Sequence, residues 1–239
     1  MLRAPTPLFS SGKVLVADDE AFSQSIVMRI VRDLGCTNLV SAADGAETLQ
    51  RLGELGKDIA LAMLDFNMPE VNGLDILKRI RTRRAGVPAD LRVVMLTGSA
   101  DHGLVGAALA LDVDAFVVKP VSKMALAARL DKVMGETREI KPPAHYDRVD
   151  IDAVSKSLLS RKPVGTPRPK AESGLKKGLQ IKLEAAYAGG VLAEDIKGPT
   201  GELLLGRNTV LTDRLLRRLK ELQGVIGIEY VTLYPPGES

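Results

Sequence analysis

Residues 13–20 read KVLVADDE, a short aliphatic run that stops on two aspartates and a glutamate. A run of this kind, followed by a stretch of helical period, is how a buried parallel strand opens a βαβ unit. The pattern recurs downstream. Residues 60–64 (ALAML) end at Asp65, 93–96 (VVML) end at Thr97, and 115–118 (AFVV) end at Lys119. Amphipathic stretches at about 20–34, 44–54, 72–84, 102–111 and 122–134 carry the helical period. The alternation predicts five strands and five helices over 13–135, an α/β domain built on an open parallel sheet. In such a sheet the carboxyl ends of all strands share one edge. Asp18, Asp19, Asp65, Thr97 and Lys119 are therefore expected in one crevice, although roughly a hundred positions separate the first from the last.

Local signals support these boundaries. Gly35, Gly86 and Gly135 fall just beyond predicted helix ends, where a residue tolerating positive φ is favoured. Ser122 is expected to cap the last helix, and Pro120 to help stop the fifth strand.

Three carboxylates brought together repel one another and push their pKa values apart. A divalent cation resolves the conflict. Magnesium prefers oxygen ligands and commonly takes one or two carboxylates plus a phosphate oxygen. Asp19 and Asp65 are the expected direct ligands, Asp18 a ligand through water, and the backbone carbonyl of Asn67 a further oxygen. Lys119 supplies a fixed cation on the opposite side, and Thr97 a hydrogen-bond donor. Phosphoryl transfer is largely positioning and charge stabilisation, so these parts suffice for Asp65 to attack phosphorus and become an acyl phosphate. Pro69 and Gly73 shape the loop that follows.

Residues 13–20 (KVLVADDE), 64–73 (LDFNMPEVNG), 93–98 (VVMLTG) and 115–121 (AFVVKPV) closely resemble the receiver domain of two-component response regulators, over about half the chain. The resemblance implies a flavodoxin-like sheet of order 2-1-3-4-5, and transfer of phosphate to Asp65 from the phosphohistidine of a sensor histidine kinase or phosphotransfer protein. It also implies slow self-dephosphorylation. Phe116, three residues before Lys119, matches the family's switch aromatic, which turns inward when Thr97 moves toward the phosphoryl group. The usual output surface is the face of the fourth helix, fifth strand and fifth helix, so phosphorylation-dependent pairing of two copies, or docking of a partner there, is expected.

The remaining residues bound the rest. A chain of 239 residues accommodates one ordinary domain and a smaller one. Aromatic content of 3% without tryptophan argues against an aromatic-lined nucleic-acid or sugar groove. The single cysteine, Cys36, excludes an intramolecular disulfide and reads as small core filler. Residues 1–12 lack the apolar stretch of a secretory signal, and no run approaches the ~20 apolar residues of a membrane span, so a cytoplasmic protein is expected. Basic and acidic residues balance in 1–135 and in 171–239; the whole excess of +3 sits in 136–170. Neither terminal block has the surplus that a DNA-reading face requires.

Residues 136–173 accumulate Pro142, Pro143, Pro163, Pro167 and Pro169 and read as a linker, with one short helix expected over 151–159. Residues 174–239 alternate in short runs around a single amphipathic helix at about 212–222, which predicts a small α+β unit. Residues 190–212 (GVLAEDIKGPTGELLLGRNTVLT) resemble a β-rich segment found beside HD-GYP cyclic-dinucleotide phosphodiesterase domains. The metal-binding histidines of that enzyme have no counterpart, since the chain holds only His102 and His145 and neither precedes an aspartate. The expected output is a non-catalytic adaptor. The alternatives are a nucleic-acid module using Arg214, Arg217, Arg218 and Lys220, or a cyclic-dinucleotide site using Arg214 and Arg218.

Overall fold

The computed structural model describes residues 12–98, 102–137, 139–151, 178–198 and 203–235. The chain divides into two compact units, residues 1–101 with 110–150 and residues 102–109 with 151–239.

The first unit carries a five-stranded parallel sheet. Its strands are β1 (Lys13–Ala17), β2 (Leu39–Ala42), β3 (Ile59–Asp65), β4 (Arg92–Thr97) and β5 (Ala115–Val118). They lie in the order β2-β1-β3-β4-β5, the flavodoxin-like order that the family resemblance implied, on the parallel sheet expected from the alternating pattern. Register is set by side-chain alternation. Val16 stands beside Met63 and Met63 beside Val94, while Leu64 stands beside Met95 and Met95 beside Phe116. On one face Val14, Val16, Leu61, Met63, Val94, Leu96, Ala115 and Val117 form one core with α1 (Ala21–Asp33) and α5 (Lys123–Gly135). Cys36 sits in this core, as the small filler the sequence suggested. The other strand residues point to the opposite face, which belongs with α2 (Gly45–Leu55) and α3 (Gly73–Arg81) and their buried Leu52, Ile76, Leu77 and Ile80. The fourth helix, α4, spans His102–Ala110.

Helix ends follow side-chain chemistry. Asp44, Asn72 and Ser122 each accept a backbone N–H from the first turn of α2, α3 and α5. Of the three glycines expected at helix ends, only Gly35 fills that role, with φ of 97° just past α1. Gly135 is still helical. The predicted helix over 72–84 stops instead at Arg81, because Thr82 Oγ1 bonds back to the Lys78 carbonyl and Arg83 takes the left-handed turn at φ 61°. Gly86 lies farther along, where a Cβ would sit 2.9 Å from Gly53 Cα; its role is close approach to α2 rather than capping.

At the amino edge of the sheet a single buried arginine gathers the loops. Arg81 is fully enclosed, and its guanidinium donates to the carbonyls of Leu111 (3.1 Å), Ala89 (2.7 Å), Leu91 (2.9 Å) and Asp112 (3.0 Å) and to Asp114 Oδ2 (3.1 Å). Asp114 Oδ2 also accepts the amide of Val93 (2.7 Å). The fork thereby joins the end of α3 to the starts of β4 and β5, with all five donors used.

The Pro-rich stretch read as a linker is structured in its first part. A short helix, α6 (Pro143–Asp147), buries Tyr146 within the first unit. The helix expected over 151–159 lies outside the described residues apart from Ile151.

The second unit contains the short antiparallel strands that its sequence suggested. β6 (Leu179–Lys182) pairs with β9 (Tyr230–Leu233), and β7 (Ile196–Lys197) with β8 (Leu203–Leu205). The helix α7 (Asp213–Ile226) is capped by Thr212 and ends at Gly227 with φ 64°. Leu183, Leu192, Leu211, Leu216, Leu219, Val231 and Leu233 are among the buried aliphatics of this unit.

Replacing Arg81 by methionine strands the Asp114 carboxylate in the interior, and should destabilise the receiver unit by about 3–5 kcal/mol in urea denaturation. An unchanged midpoint would show the fork to be dispensable.

Candidate functional site

Four of the five strands bring a functional side chain, at or just past their last residue, to the same edge. Asp18 and Asp19 follow β1, Asp65 ends β3, Thr97 ends β4 and Lys119 follows β5. Carboxylate oxygens of Asp18, Asp19 and Asp65 lie within 4.8 Å of one another. Lys119 Nζ stands 2.8 Å from Asp65 Oδ1 and 2.9 Å from Asp18 Oδ2. Asp18 and Asp65 are buried, whereas Asp19 is exposed at the rim. The crevice expected from the sequence therefore exists, and its first and last members touch.

Thr97 is buried, with its hydroxyl 3.1 Å from the Gly98 carbonyl, and its own carbonyl accepts the Lys119 amide at 2.8 Å. Asn67, two positions beyond Asp65, is exposed at the mouth. Phe116 is turned inward and 2% exposed, and its ring stacks on Phe66 at a centroid distance of 6.2 Å and an interplanar angle of 29°.

Two contacts beneath the site went unread in the sequence. Gln24 Nε2 donates to the Ala42 carbonyl at 2.7 Å and lies 3.4 Å from those of Val16 and Asp18, pinning α1 to the strand ends that carry the first two carboxylates. Only its place one turn into α1 pointed to it. Gly73 opens α3 directly against the phosphoacceptor candidate. A Cβ there would collide with the Asp65 carbonyl oxygen and stand 2.8 Å from Met95 Cε, while its amide donates to the Phe66 carbonyl at 3.2 Å.

The electrostatics are unbalanced. Burial pushes the Asp65 carboxyl above its ordinary value; Lys119 pulls it down through a hydrogen bond and its charge, while Asp18 and Asp19 push it up again. Burial works against the Lys119 ammonium, yet its hydrogen bond to Asp65 and the charges of Asp65 and Asp18 raise it above its usual range. Three carboxylates thus face one ammonium. Asp18 Oδ2 is buried and, although at ion-pair distance from Lys119, has no aligned hydrogen-bond donor. An all-oxygen donor set with excess negative charge and an incompletely satisfied buried oxygen fits a hard divalent cation.

A doubly wound sheet with an acidic notch, a threonine and a lysine at its carboxyl edge is the arrangement of a receiver-type signalling domain. Residues 14–131 match the response regulator receiver domain family. A chemotaxis protein CheY homolog of Campylobacter jejuni is 30% identical over 123 residues, 52% of this chain and 92% of its own length. Chemotaxis protein CheY-3 of Vibrio cholerae is 34% identical over 121 residues, 51% of this chain and 90% of its own. Among solved structures, a response regulator receiver domain protein from Clostridium thermocellum is 26% identical, with a TM-score of 0.45, covering 52% of this chain and 94% of that one. The chain belongs to the response regulator receiver family and carries a CheY-like receiver domain. Domains of this family bind Mg2+ at an acidic pocket, and Asp18, Asp19 and Asp65 form an acidic cluster here. Among the described residues no helix is long and apolar enough to cross a membrane.

Because the folded-state pKa of Asp65 is raised, its ionisation opposes folding: the penalty is absent below the ordinary aspartate range and sets in as pH rises through the folded value. Mg2+ should therefore raise the melting temperature at pH 7, and this gain should vanish below about pH 4, where the Asp65 carboxyl is protonated. Equal stabilisation at both pH values would mean that the ion binds elsewhere. Gly73→Ala should cost about 1–3 kcal/mol through overpacking against the Asp65 carbonyl, measured by denaturant titration.

Proposed function

We propose that this chain is a two-component response regulator in which Asp65 is the phosphoacceptor and the C-terminal unit is a non-catalytic adaptor. The observation that carries the reading is the joint position of Asp65, Asp18 and Lys119, with the ammonium 2.8 Å and 2.9 Å from the two carboxylates.

An Asp65 oxygen attacks the phosphorus of a phosphohistidine. A P–O bond forms as the P–N bond breaks, and the imidazole leaves with a proton from solvent. Asp19 and Asp65, with the Asn67 carbonyl, would hold a Mg2+ ion, and Asp18 would do so through water. The ion neutralises phosphoryl oxygens when bound. Lys119 then exchanges its Asp65 contact for a phosphoryl oxygen, and the Thr97 hydroxyl turns from the Gly98 carbonyl to another. Phe116 fills the space beside Thr97. Phe22, 72% exposed at the start of α1, and Met124, 84% exposed at the start of α5, follow the strand ends that carry Asp19 and Lys119 and offer apolar footing for a histidine kinase or phosphotransfer protein.

The output reading rests on α7. Arg218 is buried, Lys220 donates to the Glu184 carbonyl at 3.0 Å, and Arg217 Nε lies 3.4 Å from the Asp213 carbonyl. With Arg218 buried and Lys220 bonded within its own unit, few of the helix's cations remain for a phosphate, which weighs against nucleic-acid and cyclic-dinucleotide outputs and favours a protein partner or a second copy of the chain.

Incubation with phosphoramidate and Mg2+ should add one phosphoryl mass that neutral hydroxylamine removes, and Asp65→Ala should abolish it. Undiminished labelling of that variant would end the proposal. Lys119→Ala should melt cooperatively yet label on the order of 10²-fold more slowly; loss of the folded state would mark Lys119 as structural instead.

A further inference from the structure

The first residues beyond α5 close over the amino edge of the receiver and are fastened there by one side chain. Tyr146 is 0% exposed. Its hydroxyl donates to Asp112 Oδ2 at 2.9 Å and accepts the Lys141 amide at 2.9 Å, so that both hydrogen-bonding functions are used. Lys141 Nζ adds a 3.4 Å ion pair to the same Asp112 oxygen. Burial first, then the charge of and hydrogen bond to Asp112, push the phenol up to about 12, which keeps it a donor throughout the physiological range. Beyond Tyr146 the segment is held by Lys78 Nζ on the Val149 carbonyl at 2.7 Å and by an exposed Arg84–Asp147 pair at 3.1 Å.

Asp112 is a junction rather than a simple acceptor. It occupies the left-handed region at φ 51°, uncommon for a residue with a side chain. Its carboxylate faces Tyr146 while its carbonyl accepts Arg81 Nη2. Two residues on, Asp114 holds the same guanidinium at the start of β5. β5 is only four residues long, and Lys119 follows it directly with its ammonium on Asp65. One short strand thus joins the acidic notch at one end to the Tyr146 anchorage at the other.

We propose that residues 139–150 form a latch, closed by Tyr146 on Asp112, whose opening is biased by occupancy of the Asp65 site and passes that state to the chain that follows. The proposal rests on the reading of Asp65 as phosphoacceptor. Redirection of Lys119 toward a phosphoryl oxygen loads β5 from its carboxyl end, and the amino end of that strand carries the latch's seat. Few contacts hold the latch beyond Tyr146, and its outermost ion pair is solvated, so it belongs to the part of the fold that opens locally at low cost.

The test is amide hydrogen exchange of the full chain, read by NMR with and without Mg2+ and beryllofluoride, an acyl-phosphate mimic. The Lys141 amide is the direct reporter, because the Tyr146 hydroxyl is its acceptor. The mimic should slow exchange around residues 65–73 and change that of Lys141 and Val149 at least several-fold, with both effects absent in Asp65→Ala. Tyr146→Phe should exchange Lys141 rapidly in either state while retaining phosphorylation at Asp65. Protection at 65–73 with Lys141 and Val149 unaltered would overturn the latch and leave the phosphoacceptor reading standing. Wild-type exchange rates in Tyr146→Phe would also overturn it. No protection at 65–73 would remove the phosphoacceptor reading, and the latch with it.

Discussion

Three carboxylates held around one ammonium is the constraint to which the rest of the receiver answers. Bringing Asp18, Asp19 and Asp65 within 4.8 Å costs Coulombic energy, and burial first, with the charges of Asp18 and Asp19 behind it, keeps the Asp65 pKa raised against the pull of Lys119. The arrangement persists because each charge is mounted on the end of a buried strand. Alternation of aliphatic residues fixes register along β1, β3, β4 and β5, and register fixes which end residue reaches the notch. Unfavourable chemistry at the edge is thereby supported by favourable burial in the layers behind it.

The two edges of the sheet solve opposite problems. At the carboxyl edge negative charge exceeds positive, and a buried Asp18 oxygen lacks an aligned donor, a state suited to receiving a cation and a phosphoryl group. At the amino edge the Arg81 fork has every donor used by carbonyls and by Asp114. A satisfied cluster of this kind binds nothing further and serves to hold loops in place. Function and rigidity are thus segregated to the two ends of the same short strands.

The strand ends were readable because a parallel sheet converts sequence position into spatial position by a simple rule. KVLVADDE, the run ending at Asp65, and those ending at Thr97 and Lys119 needed only that rule to define an open parallel sheet and the crevice, while the strand order came from the family resemblance. Arg81 was hidden because an arginine among Lys78, Arg79, Arg83 and Arg84 looks like one more solvated cation, and its partners are mostly backbone carbonyls, which leave no mark on composition. Tyr146 was hidden for a related reason: a lone aromatic among prolines carries no periodicity, and its seat on Asp112 is made by a turn 34 positions earlier. Gly86 and Gly135 misled because glycine marks both helix termination and close backbone approach, and only three-dimensional packing separates the two. Gln24 reads as an ordinary polar residue on an amphipathic helix until the strand carbonyls it serves are in view.

The missing side chain at Gly73 has a mechanical consequence. With α3 seated against the carbonyl of Asp65, the strand end has an unyielding floor on that side. A helix packed this close to the Asp65 carbonyl leaves the strand end no room to move toward α3, only toward its other sides. The absence of one methyl group thus closes one direction of recoil.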